Sequence, residues 1–474
     1  MEEFKIFYGG AFHTTSKELE VINPYSKEPI AKTYLATGKE LEEAIAWGLK
    51  AEEAMRKLPS YKRYQILRYI AEEIEANKER FAEIIGKEAA KPHRYAMGEV
   101  KRAIQTFTIA AEEAKRLPKE YISLDWTEPG ENKEGIVKYF PIGLIAGISP
   151  FNFPLNLAVH KIAPAIAAGN PIILKPSRNT PLSTLELAKI IARTDLPPGA
   201  VAILPMDRET GNRLVVDPRF KLLSFTGSPA VGWKMKKEAG KKRVLLELGG
   251  NAGVIISKTA DLDLALRKTL IGAFAYSGQV CIHAQRIYVH EAVFDQFAEM
   301  FVEGTKKLKF GDPLDPETEI SAMIDEYNAV RVEQWVNEAV EEGAKILIGG
   351  KRHGNYYEPT VLTDTHNEMK VCALEIFGPV VTLEKVPNFE HAVKLINDSQ
   401  YGLQAGVFTD SYQEINYAFN NLVVGGVIIN DVPTFRVDHM PYGGVKNSGF
   451  GREGVKYAIR EMMEPRLLVI PNIP

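Results

Sequence analysis

Residues suited to covalent chemistry are scarce: two cysteines stand in 474 residues, and one, Cys281, closes the loop Tyr276-Ser277-Gly278-Gln279-Val280-Cys281. A thiol attacks carbonyl carbon as its thiolate, and a carboxylate can take its proton directly or through water. Such a carboxylate, Glu247, stands thirty-four residues upstream (281 − 247) in Leu246-Glu247-Leu248-Gly249-Gly250-Asn251. Asn152 adds a third function. It lies between two prolines in Pro150-Phe151-Asn152-Phe153-Pro154, which stiffen the loop and leave the amide as a fixed donor. Aimed at a developing oxyanion, one such donor is worth about 10² to 10³ in rate. A cysteine is ordinarily a small buried hydrophobe. Cys372, among Val371, Ala373 and Leu374, reads that way. Cys281 differs: an amphipathic run over 262–275 delivers it, and the β-type run Arg286-Ile287-Tyr288-Val289 leads away.

A second set of residues suits an anionic ligand. Phe225-Thr226-Gly227-Ser228-Pro229-Ala230-Val231-Gly232 turns a strand into a helix, with Ser228 at the N-cap and Pro229 at the first helical position. The free N–H groups of such a helix end attract phosphate, and Gly227 permits close backbone approach. At another strand end, Leu174-Lys175-Pro176-Ser177-Arg178 supplies two cations with no carboxylate between them. Two such cations beside a nucleotide site suit a phosphate-bearing ligand.

These side chains need a frame. The chain exceeds what one core holds, so two sizeable domains with appendages are expected. Residues 38–117 repeat apolar positions at threes and fours, as long amphipathic helices do. From Pro141, short apolar runs alternate with helical ones: 142–148, 172–174, 201–204 and 221–225 are strands, with a helix over 155–168 closed by Gly169 and Asn170. This is the rhythm of a doubly wound parallel sheet, whose ligands bind past the carboxyl ends of the strands. A second alternation follows Gly250, with strands at 253–256, 286–289, 344–348, 380–383, 405–408 and 427–430. Residues 1–35 form a hairpin-bearing arm; 121–139 project as a hairpin, and 464–470 form a last apolar strand. A net charge of −3 and a pI near 6.4 argue against nucleic acid or an anionic membrane as partner. The N-terminus lacks the features of a signal peptide, and no apolar run reaches the about eighteen residues of a membrane span. A cytoplasmic protein with free thiols is expected.

Taken in order, seven motifs resemble the aldehyde dehydrogenase superfamily over nearly the whole chain: Pro150-Phe151-Asn152-Phe153-Pro154, Lys175-Pro176-Ser177, Phe225-Thr226-Gly227-Ser228, Glu247-Leu248-Gly249-Gly250, Gly278-Gln279-Val280-Cys281, Glu375-Ile376-Phe377-Gly378-Pro379 and Pro441-Tyr442-Gly443-Gly444. The resemblance implies an α/β fold in three parts. A Rossmann-like doubly wound cofactor domain would span 1–120 and 141–249, and a second α/β catalytic domain 250–448. A small β oligomerisation flap would come from 121–140 and 449–474 and join a homodimer or homotetramer. It implies oxidation of a small-molecule aldehyde by NAD(P)+. Cys281 would form a thiohemiacetal, Asn152 and the Cys281 N–H would hold its oxyanion, and Glu247 would activate the water that hydrolyses the ensuing thioester. Ser149, Phe151, Lys175, Arg178, Gly227, Ser228, Glu375 and Phe377 would surround the cofactor, and no metal is expected.

Two departures bear on the cofactor. Many NAD-preferring members carry a glutamate where Arg178 stands, so NADP is favoured over NAD. Phe151 replaces a common tryptophan and removes a donor to the pyrophosphate. In the loop Pro433-Thr434-Phe435-Arg436-Val437-Asp438-His439-Met440, Arg436 and His439 could hold an anionic group of a small hydroxy- or semialdehyde; a surface pairing of Arg436 with Asp438 is the alternative. Acyl transfer to coenzyme A is disfavoured because Glu247 is kept. A cysteine hydrolase leaves the nucleotide motifs unexplained, and a non-catalytic relative would have lost Cys281 or Glu247.

Overall fold

Ile-, Leu- and Val-rich runs in the middle of the chain form parallel strands buried on both faces, as their composition requires. A computed structural model describes residues 1–471; residues 472–474, the end of the expected flap segment, lie outside the described residues. Strands Ile145–Ile148, Ile172–Lys175, Val201–Ile203, Leu222–Thr226 and Arg243–Glu247 lie parallel within an eight-stranded sheet. The first of them is flanked by Ile172–Lys175 on one side and Leu222–Thr226 on the other, so chain order reverses there. Register aligns Ile148 with both Lys175 and Phe225, and Thr226 with Glu247. Four carboxyl ends therefore open into one crevice, where such sheets bind ligands. The N-terminal hairpin, Ile6–Tyr8 with Ala11–His13, extends the far edge of this sheet antiparallel to Val201–Ile203.

Behind the crevice runs the helix Asn156–Ala168, closed by Gly169 as expected and buried along its whole length. Its Ile, Leu and Val side chains pack between the sheet and the helices Ser60–Ala76 and His93–Ala114, each burial worth about 1.5–3 kcal/mol. Most of the helix is small and apolar, which makes His160 and Lys161 in its middle conspicuous.

All six strands expected after Gly250 are present in a seven-stranded sheet, together with one that was not foreseen, Thr360–Thr363. Six of the seven run parallel, and Lys345–Ile348 closes the edge antiparallel. Arg286 opens its strand with the guanidinium buried. The group donates to the carbonyls of Asn251 (2.9 Å), Leu395 (3.1 Å) and Ile396 (3.2 Å).

Strands Lys119–Ser123, Lys133–Pro141 and Met463–Pro471 pair antiparallel as a separate three-stranded sheet. The expected flap boundary at 449 is too early. Gly449–Phe450 pairs with Arg243–Glu247 at the edge of the first sheet, and Val455–Glu461 packs on Asn156–Ala168. Val455, Ile459, Met462 and Met463 belong to the first core because only there do they find apolar partners. Among the described residues, no helix is long and apolar enough to cross a membrane.

Candidate active site

Helix Leu262–Phe274, capped by the Asp261 carboxylate on the Leu264 N–H, carries the chain towards Cys281. Beyond it, Tyr276 (φ 50°), Ser277 (φ 53°) and Gly278 (φ 68°) are all left-handed, a conformation that costs a non-glycine residue about 1–3 kcal/mol. Side-chain bonds hold the strained pair: Tyr276 Oη donates to Ala89 O (2.9 Å) and Ser277 Oγ to Ser321 O (2.7 Å). Glycine is required next, since a Cβ at Gly278 would lie 2.1 Å from the Gly378 carbonyl. Gln279 is fully buried, its Oε1 accepting from the Ile324 N–H at 3.0 Å. Its carbonyl accepts from Asn152 Nδ2 at 2.9 Å, which brings the proline-flanked loop beside the thiol. That loop is held in turn by fully buried Lys91, which donates to Asn152 O and pairs with Glu99. Glu99 accepts from the N–H groups of Leu155 and Asn156.

Cys281 is half-buried. Its sulfur lies 3.2 Å from the Tyr442 hydroxyl, and Tyr442 lies under the Arg436 guanidinium at 3.6 Å. Burial pushes the thiol up to about 11, against the downward pull of the Tyr442 hydrogen bond. Burial also holds the Tyr442 phenol well above its usual range, so the hydroxyl stays a donor. Glu247 ends its strand with Oε2 buried and unpartnered. A Cβ at Gly443 would come within 2.9 Å of its Oε1, so the Pro441-Tyr442-Gly443-Gly444 turn lies directly over the carboxylate. Burial first, then the charge of Glu453, raises Glu247 well above the ordinary carboxylate range. A thiol that keeps its proton beside a carboxylate of raised affinity for one suits proton transfer near neutral pH.

Around this pair lies a buried set of charges. Glu453 accepts from Lys161 (3.3 Å) and Arg436 (3.0 Å). Burial opposes its charge, but Lys161, His160 and Arg436 outweigh that and lower its pKa. Asp438 accepts from His160 (2.7 Å) and Arg102 (2.7 Å), which lower it in the same way. The expected Arg436–Asp438 surface pair is thus replaced by two separate buried partnerships. His439 does not join Arg436. Phe435, Val437 and His439 are exposed, while Asp438 is buried and Arg436 pairs with buried Glu453; a turn closed by the Met440 N–H on Val437 O (3.3 Å) carries His439 outward. His283 is also excluded from the thiol's chemistry. Its Nε2 lies 2.8 Å from Ala273 O, and burial pushes its pKa down to about 4.

Across the crevice, a cleft of about 520 Å³ runs between helices Arg208–Val216 and Pro229–Glu238. Ile148, Met206, Phe225 and Val231 give it an apolar floor, and Lys175, Arg178, Arg208 and Lys234 set four cations around one carboxylate, Glu238. Burial, with help from Arg178, lowers Lys175 to about 8. Ser228 occupies the N-cap, but its side chain makes no capping bond, so with Gly227 before it the helix end keeps free N–H groups. Ser149 Oγ is buried without a partner at the mouth of the same crevice. Glu375 accepts from the Gly250 N–H at 3.1 Å, and burial raises it to about 7. Phe377 meets Phe151 edge to face at 5.8 Å. An apolar slot, a cationic rim, an open helix end and an orphaned hydroxyl fit a dinucleotide.

Motif reading missed Tyr442 as a partner of the thiol, Lys91 and Arg208, and the whole Lys161–Glu453–Arg436 set. One signal was present: a lysine and a histidine inside an otherwise apolar helix are almost never buried without a partner.

A family model described as "Aldehyde dehydrogenase family" matches residues 12–468. A 3-sulfolactaldehyde dehydrogenase of Priestia megaterium is 43% identical over 472 residues, 99% of this chain and 98% of that one. Among solved structures, aldehyde dehydrogenase 21 from Physcomitrella patens, in complex with the reaction product succinate, superposes with a TM-score of 0.98. It is 46% identical and covers 100% of this chain and 99% of its own. The glyceraldehyde-3-phosphate dehydrogenase GapN of Methanocaldococcus jannaschii, complexed with NADP, gives 0.92 at 41% identity, covering 96% of this chain and 100% of its own.

Tyr442→Phe removes the donor that pulls the Cys281 thiol down, so its apparent pKa rises. Iodoacetamide alkylation of Cys281, followed by mass spectrometry across a pH series, is expected to shift its midpoint upward. At neutral pH the rate falls at least about threefold, in proportion to the lost thiolate.

Proposed function

The chain belongs to the aldehyde dehydrogenase family, and from that premise we propose that it oxidises a short aldehyde bearing an anionic group at its far end, with NADP+ favoured over NAD+. The observation that carries the anionic substrate is the charge around Cys281. Lys161, Arg436 and Arg102 face the carboxylates of Glu453 and Asp438. Burial disfavours the charged forms of His160 and Glu247 alike. Three cations share the two carboxylates they pair with, a surplus that suits an anionic group on the substrate in a low-dielectric site. Arg436 carries a buried Nε without a partner, a donor free for the ligand. The sulfonate, carboxylate and phosphate in the substrate or product names of the relatives above accord with this reading. The preference for NADP+ rests on Arg178 and Arg208 at the rim of the cleft.

In this reading Cys281 Sγ attacks the carbonyl and Glu247 receives the thiol proton. Asn152 Nδ2 exchanges its bond to Gln279 O for the oxyanion of the thiohemiacetal, with the Cys281 N–H as second donor. Lys175, Arg178, Gly227, Ser228 and Ser149 hold the cofactor's phosphates and ribose, and Glu375, Phe377 and Phe151 its nicotinamide end. A bound NADP+ would supply the hydride acceptor, and loss of hydride from the thiohemiacetal would leave a thioester on Cys281. Once Glu247 has released the thiol proton to solvent, it takes a proton from the water that attacks this thioester, and Tyr442 steadies the departing sulfur. Two free thiols suit the reducing cytoplasm. The exposed Leu467, Leu468 and Val469 on the flap's outer strand suit pairing with a second copy, in a homodimer or homotetramer.

Four outcomes follow. Glu247→Gln leaves a slowed stopped-flow burst of reduced nucleotide and loses about 10²-fold or more in steady turnover; unchanged turnover refutes Glu247 as the base. In the wild type, hydrolysis depends on the ionised carboxylate, so its rate rises with pH along a limb above the ordinary glutamate value of about 4.3. Arg436→Met raises KM for anionic aldehydes at least about tenfold more than for propionaldehyde; an equal loss for both sends Arg436 back to a purely structural role. Arg178→Glu lowers the NADP+/NAD+ preference about tenfold or more by repelling the 2′-phosphate, measured as the ratio of kcat/KM values.

A further inference from the structure

At the root of the flap lies a cavity of about 490 Å³ that the chemistry above does not use. Its walls carry Arg56, Lys57, Arg63, Lys115, Lys119 and Lys138, and no Asp or Glu. Lys57 and Lys115 are paired with Glu53 and Glu112 on adjacent turns. The other four make no ion pair among the described residues.

Strand register sharpens the point. Lys119 stands directly opposite Lys138, and Lys138 directly opposite Arg466 on its other side. Such partners share one face with Cβ atoms about 5 Å apart, where like charges repel. The carboxylate two places from Arg466 on that face, Glu464, is held by Arg243. A row of three cations across three strands is therefore left without an internal counter-charge.

Arg63 supplies an independent observation. It is 8% exposed and donates to the Ala167 carbonyl at 2.9 Å, while its Nε is buried without a partner. A buried cation without a carboxylate is costly to keep. Leu58, Pro59 and Phe140 add apolar walls beside these charges, and the volume falls within the range of small-molecule sites.

We propose that this cavity is a second ligand site, which binds a small phosphorylated organic anion by its charged groups and rests the carbon skeleton on the apolar walls. It is separate from the catalytic crevice: Ala168, in its wall, ends the helix that starts beside Asn152, about 20 Å away by helical rise.

The test uses the full protein saturated with NADP+, so that the crevice is filled, and inorganic tripolyphosphate as probe at constant ionic strength. The wild-type melting midpoint is expected to rise with the logarithm of probe concentration. Lys119→Gln/Lys138→Gln is expected to melt higher than wild type without the probe, because the repulsion is gone. It should bind the probe at least about tenfold more weakly, with kcat/KM unchanged in the absence of the anion. Equal probe response in both proteins overturns the proposal, as does no response in the wild type. A smaller species in sedimentation of the double variant also overturns it, because the cations would then be pairing with another copy of the chain.

Discussion

The Glu453 carboxylate is buried between Lys161 and Arg436, and its two ion pairs fasten different parts of the chain. Through Lys161 it holds the helix behind Asn152. Through Arg436 it holds the turn that places Tyr442 against the thiol. Lys161 also donates to Thr226, whose register partner is Glu247. Removing one member of such a buried pair typically costs about 3–5 kcal/mol, because the survivor keeps its charge without compensation. The Cys281 thiol, the Glu247 carboxylate and the Asn152 amide are thus positioned by one electrostatic knot.

The same burial that makes this knot rigid sets the protonation of the site. Cys281, Glu247 and Glu375 are pushed upward and Lys175 downward, each mainly by desolvation and each bordering one crevice. Perturbed groups gathered in a cleft are the physical mark of chemistry. Glu88 shows why the clustering matters more than the shift. Burial raises it to about 7 as well, yet it accepts from the Leu182 and Ser183 N–H groups and so only closes a helix start.

What the amino-acid sequence revealed was what acts locally. Cys281, Glu247, Asn152 and Ser228 are each flanked by the glycine or proline that shapes their own turn, so residue and geometry can be read together. The alternation of strands and helices was legible for the same reason, save for Arg243–Glu247 and Thr360–Thr363, which are short and polar at both ends. Lys161 and Glu453 are 292 residues apart and Lys91 and Asn152 are 61 apart; nothing local announces such pairs. The orientation of His439 was unreadable because it depends on a turn that the Met440 N–H closes on Val437 O, in a loop without periodicity. The flap boundary failed because an apolar helix such as Val455–Glu461 carries no mark of which core will receive it.

The return of residues 449–462 to the first sheet also bears on how the enzyme comes into being. Ribosomes deliver chains from the N-terminus, and domains tend to fold as they emerge. Every strand of the two large sheets except Gly449–Phe450 precedes residue 430, so most of the scaffold can assemble while Tyr442 and Glu453 are still untranslated. A nascent chain in that state has its thiol in place but lacks the hydroxyl beside the sulfur and the carboxylate that fixes Arg436. The surroundings of the thiol are therefore completed among the last steps of synthesis, and a product truncated before residue 442 is a nearly complete scaffold whose Cys281 lacks its hydroxyl partner.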